Sequence, residues 1–87
     1  NSVYAYPNPV RPEYDGLITV SGLTADADVK ITTATGYLVA QGKSNGGTFT
    51  WNGRDLKGRK VASGVYHVVT AKSDGSKGTV CNVAIIR

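Results

Sequence analysis

The sequence predicts an all-β protein, an Ig-like antiparallel β-sandwich of about seven strands. Three observations predict it. Apolar residues recur in short alternating runs such as Val29-Lys30-Ile31-Thr32, the mark of a half-buried strand, and no segment repeats at helical spacing. Turn signals separate these runs at intervals of roughly 8–12 residues. Eleven glycines among 87 residues are too many for a helical chain and fit one that reverses often.

The strands follow in order. Val3-Tyr4-Ala5-Tyr6 is short and is ended by Pro7-Asn8-Pro9, because proline donates nothing to a ladder and restrains the residue before it. Pro12 is expected to keep the connection extended, and Asp15-Gly16 to turn it into the strand Leu17–Val20. Val29–Thr32 and Tyr37–Ala40 flank a hairpin turn at Thr35-Gly36, and Asn45-Gly46-Gly47 turns into Thr48–Trp51. A long polar loop follows, and Ser63-Gly64 releases the chain into Val65–Lys72, the longest strand expected. Asp74-Gly75 is the strongest hairpin signal and leads into Thr79–Ile86. Ile18, Val20, Val29, Ile31, Phe49, Trp51, Tyr66 and Val68 should face inward. The last strand has two possible phases, Val80 with Ile86 or Cys81 with Val83 and Ile85. Nothing calls for a parallel crossover.

Size and composition narrow the function. One small domain, residues 1–87, is expected, with its core held by packing because Cys81 has no partner for a disulfide. There is no apolar run of about 18 residues, so no transmembrane helix is expected. The chain begins at Asn1 without methionine and reads as a domain of a longer protein whose targeting segment lies upstream. Net charge is +4. Most of the basic residues are scattered as in solvated loops, but Arg54, Lys57, Arg59 and Lys60 cluster in the long loop. Four cations on one exposed loop suit phosphates or carboxylates of a partner, and they are the candidate binding residues. The tyrosines make no aromatic–basic stripe, so nucleic acid is not an expected partner.

No catalytic site or cofactor is expected. Gly42-Lys43-Ser44 resembles the end of a phosphate-binding loop, but Gly36 stands one residue too far upstream and no helix follows. The lysine reads as a loop residue. His67 lies mid-strand without an orienting acid or an activated serine, and one histidine with one cysteine is too few for zinc. Nothing beside Cys81 would depress its thiol pKa, so it reads as a small buried residue. Glu13, Asp15, Asp26 and Asp28 lack a calcium-loop pattern and read as turn and cap residues.

Several motifs carry a resemblance to a known family. Tyr6-Pro7-Asn8-Pro9-Val10, the central Gly36, Trp51 before the long loop, Ser63-Gly64-Val65-Tyr66, and a last strand ending Ile85-Ile86-Arg87 resemble the C-terminal sorting domains of type IX secretion cargo. The opening Pro7-Asn8-Pro9-Val10-Arg11-Pro12 and the loop Trp51-Asn52-Gly53-Arg54-Asp55-Leu56 are most similar to the C-terminal domain of propeller-bearing surface proteins of the PorZ type. The Ig-like module of the flagellar hook-capping protein shares Trp51 and Gly64-Val65-Tyr66. Departures from plain cargo, Thr33-Ala34-Thr35 before the central glycine and the extra Arg11-Pro12-Glu13-Tyr14, favour a retained domain over a cleaved signal.

The resemblance implies a non-enzymatic module of an exported Bacteroidota protein, in the periplasm or at the outer-membrane surface. It implies protein partners, the translocon or sortase components of type IX secretion, together with anionic lipopolysaccharide. Docking would use an exposed edge strand or the 53–62 loop. A structural spacer capping a propeller, or a hook-cap-like module, is the alternative.

Overall fold

The computed structural model describes residues 2–71 and 74–87. Among them seven strands form two antiparallel sheets: β1 (Tyr4–Tyr6), β2 (Ile18–Ser21), β3 (Asp28–Thr32), β4 (Leu38–Lys43), β5 (Phe49–Trp51), β6 (Gly64–Ala71) and β7 (Lys77–Ile85). The smaller sheet runs β1-β2-β5 and the larger β4-β3-β6-β7. This is an Ig-like sandwich in which the fourth strand lies beside the third, in the larger sheet.

Alternation decides which side chains meet between the sheets. Ile18, Val20, Val29, Ile31, Val68 and Val83 are the most deeply buried. Each is flanked in its strand by more exposed neighbours, as a period of two requires. Of the eight residues expected inward, only Phe49 is half-buried; it packs against the core rim. Its ring lies over Gly42, where an added Cβ would come within 2.7 Å of Phe49 Cε1. Trp51 and Tyr66 come from opposite sheets and pack edge to face at 5.7 Å between ring centroids. Tyr66 also donates its hydroxyl to the Ala62 carbonyl at 2.7 Å, a tyrosine corner where the chain enters β6.

Two bulges explain what strict alternation left open. β6 and β7 pair in one register from Gly64↔Ile85 to Val68↔Cys81, then shift so that Val69 faces Thr79. Val80 is the extra residue. Cys81, Val83 and Ile85 therefore hold the inward phase, with Val83 and Ile85 buried, while Val80 is half-buried at the bulge. The same shift between β3 and β4 leaves Val39 as the extra residue, and it is buried.

Other expectations are corrected. β7, with nine residues, is longer than β6, with eight. The β6–β7 turn keeps Gly75 at a φ of 88°, but Lys72, which had been placed in the strand before it, lies outside the described residues. Pro12 does not extend the chain: Tyr14 N–H donates to the Arg11 carbonyl at 3.0 Å, closing a turn with proline at its favoured second position. Asp15-Gly16 redirects the chain as a bend, with Gly16 beneath the Tyr14 ring. Lys43 is not a loop residue but the last of β4, and Asn45–Thr48 arches between the sheets.

One parallel contact was not foreseen. Val10 bridges Ile85 in parallel, with Val10 N–H donating to the Ala84 carbonyl at 2.7 Å and Ile86 N–H to the Val10 carbonyl at 2.8 Å. Asn8 extends this pairing with its side chain: Nδ2 donates to the Asn82 carbonyl at 2.9 Å and Oδ1 accepts from Ala84 N–H at 3.0 Å. The segment after β1 thus leaves the smaller sheet and covers the outer edge of β7 along residues 82–86, engaging the Asn82 and Ala84 carbonyls and the Ala84 and Ile86 N–H groups that another strand would otherwise use.

Candidate functional site

The long loop between β5 and β6 is folded on itself. Asn52 Oδ1 accepts Arg54 N–H at 3.1 Å, and the indole of Trp51 donates to the Arg54 carbonyl at 2.9 Å. Gly53, at a φ of 74°, supplies the left-handed conformation that reverses the chain, and its carbonyl accepts Val61 N–H at 3.0 Å. Arg54 and Lys60 then bridge as a short antiparallel pair. At the tip, Asp55 Oδ1 accepts Lys57 N–H at 2.9 Å and Arg59 N–H at 3.0 Å. These backbone donors, Arg59 first, hold the Asp55 carboxyl below its ordinary range.

The four expected binding residues separate into two kinds. Arg54 donates from Nη1 to the Gly58 carbonyl at 2.9 Å, and Arg59 pairs with Asp55 at 3.6 Å, so both guanidinium groups hold the loop together. Lys57 makes no side-chain hydrogen bond or ion pair among the described residues, and Lys60 stands 4.0 Å from Asp15, whose side chain is almost fully exposed. A cleft of about 200 Å³ opens at the root of the loop, lined by Arg54 and Lys60 together with Tyr14, Asp15 and Arg87. Lys57 and Arg59 do not line it.

Arg87 was read only as a terminal basic residue, yet it organises the root of the loop. Its Nε donates to the Val61 carbonyl at 2.8 Å, its Nη2 reaches the Gly53 carbonyl at 3.3 Å, and its N–H donates to Ser63 Oγ at 2.8 Å. No short-range pattern joins positions 53, 61 and 87, so only the folded register brings them together. Among the described residues the cleft thus gathers Arg54, Lys60 and Arg87 with one acid, Asp15, so its lining carries an excess of positive charge.

The remaining candidates have other roles. Ser44 is buried; its hydroxyl donates to the Thr24 carbonyl and accepts Ala27 N–H at 2.9 Å, fixing the loop before β3 rather than a phosphate. Lys43 pairs with Asp28 at 2.9 Å. His67 Nδ1 lies 2.7 Å from Asn82 Oδ1, a cross-strand pair on the outer face of the larger sheet. Cys81 is half-buried, and burial pushes its thiol pKa up, away from the reactive thiolate. Among the described residues no three His, Cys, Asp or Glu side chains gather as a metal site, and no helix is long and apolar enough to cross a membrane.

No protein-family model matches the chain, and no curated protein matches it. Among solved structures it is similar to PorZ of Porphyromonas gingivalis, described as an essential bacterial surface component of the type-IX secretion system. The two share 43% identity over 98% of this chain, with a TM-score of 0.84. The chain spans 11% of the length of PorZ. The similarity falls on the PorZ-type proteins toward which the opening Pro-Asn-Pro motif and the Trp51 loop pointed.

Proposed function

We propose that this chain is a non-catalytic Ig-like module of an exported Bacteroidota protein that works in type IX secretion at the cell surface. The similarity to PorZ, 43% identical across nearly the whole of this chain, is the observation that carries the reading. The module docks onto protein components of the machinery, translocon or sortase, through the 53–62 loop and the basic cleft at its root. Lys57 and Lys60 make the first contact, because Arg54 and Arg59 are already committed to the loop. Anionic lipopolysaccharide offers the same charges as an acidic protein patch and is the second partner to test.

The experiment is co-purification of the parent protein from its native cells, with Lys57→Ala/Lys60→Ala beside the unchanged protein. Both lysines are exposed, so thermal unfolding should be unchanged while secretion components are lost from the purified complex. Undiminished co-purification and normal cargo export would overturn docking through the loop. That outcome would leave the spacer reading, which the internal commitment of Arg54 and Arg59 already favours as far as those two residues go.

A further inference from the structure

We infer that the outer face of the larger sheet carries a second anion site, separate from the loop cleft, in which Lys30 and Lys77 hold a phosphate group with Lys43 at its rim. A groove of about 280 Å³ opens on this face at the far end of β6, lined by these three lysines with Asp28, Val69 and Ala71. The distance from the start of β6 to this end is roughly 23 Å at strand rise, so the two basic sites occupy opposite ends of the sandwich.

The register explains the convergence. Lys30 is the cross-strand partner of Val69, and Lys77 is that of Ala71, so the lysines approach one another diagonally across β6. What separates them is an alanine and a valine, too short to keep two four-carbon side chains apart. Among the described residues Asp28 is the only acid lining the groove, and it is already paired with Lys43 at 2.9 Å. Three cations therefore face one carboxylate, and the excess lies on Lys30 and Lys77. The crowding is felt: Lys77 pushes the Lys30 ammonium below its ordinary pKa, while Asp28 raises that of Lys43. A sheet face gains nothing from holding two like charges together unless an anion bridges them. A phosphate offers oxygens to both ammonium groups at once and removes their repulsion. Nothing in this step depends on the secretion reading.

The test is a titration of the ¹⁵N,¹³C-labelled protein at low salt with inorganic phosphate, followed at the lysine Cε–Hε resonances. The expected result is saturable movement of Lys30 and Lys77, with a dissociation constant on the order of 1 mM, the weak range for an exposed charge cluster. It should weaken at least about tenfold in Lys30→Gln/Lys77→Gln, with Lys30→Gln alone as the fallback should the double variant fold poorly. Matched sodium chloride distinguishes binding from screening. Movement equal to that in chloride, or unchanged in the variants, would overturn the site. A second arm uses vesicles of phosphatidylglycerol with phosphatidylcholine. Variant-sensitive binding to vesicles would support a lipid phosphate as the source, and saturation by free phosphate alone would support a soluble one. Overturning the site in the phosphate titration would leave the proposed docking of the loop untouched.

Discussion

Asp55 is the residue on which the order of the loop turns. One carboxylate oxygen accepts two backbone N–H groups, from Lys57 and Arg59, and the other oxygen faces the Arg59 guanidinium. Deprotonation strengthens all three contacts, which is why the folded carboxyl titrates below the ordinary aspartate value of 3.8. The sign follows: a depressed folded pKa gives stability that is fully present above the unfolded value and is lost as pH falls through the folded one. At neutral pH the loop therefore has its full order, and it should loosen only in acid below that value. An NMR titration of the Lys57 and Arg59 amide protons should show both shifting together with a midpoint below 3.8. A midpoint at or above that value would mean that the carboxylate is not their acceptor in solution. The Tyr66 side chain is held by a single hydrogen bond. Its hydroxyl meets the Ala62 carbonyl, and burial pushes its pKa up, which keeps it a neutral donor.

At the scale of elements, the closure of the β7 edge is the feature that most constrains partners. Asn8 acts as one more strand residue, since its side-chain amide donates and accepts as a backbone peptide would. Asn8→Ala should cost about 1 kcal/mol in chemical denaturation, the net worth of exposed amide hydrogen bonds. It should also raise hydrogen exchange at the Ala84 amide far more than at core amides. An unchanged Ala84 rate would show that Val10 alone holds the edge. The elements themselves were legible because alternation and turn residues are local properties: Val29-Lys30-Ile31-Thr32 and Asp74-Gly75 carry their own instructions. The bulged Val39 and Val80 were not, because a bulge is fixed by the partner strand. The ambiguity between Val80 and Cys81 was the trace that β7's bulge left in the sequence. In the loop the sequence disclosed the charges but not their employment. Arg54 and Arg59 look alike with Lys57 and Lys60 until the fold supplies the Gly58 carbonyl and Asp55 as partners.

At the scale of the whole molecule, a small sandwich without a disulfide must tie its ends by non-local contacts, and Arg87 shows how one end is tied. Its guanidinium spans the two sides of the loop root, the Gly53 and Val61 carbonyls, which are themselves joined by the Val61 N–H to Gly53 bond. Arg87→Ala keeps the backbone bond to Ser63 but removes both side-chain bonds. Hydrogen bonds from a charged donor are worth about 1.5–3 kcal/mol each where well formed. Partial exposure and the 3.3 Å length of the Gly53 contact reduce that, so the variant should lose about 1–2 kcal/mol by chemical denaturation. A second measurement separates the tie from a general loss of stability. Exchange at the Val61 amide should accelerate beyond that of Val20 and Val68, whose side chains lie at 0% exposure in the core. If all three amides accelerate equally, Arg87 contributes only to global stability and the cleft keeps its shape without it. If Val61 alone responds, the last residue holds the geometry that brings Arg54 and Lys60 to one cleft, and the loop's receptivity to an anion depends on a contact 26 residues away from Val61 in sequence.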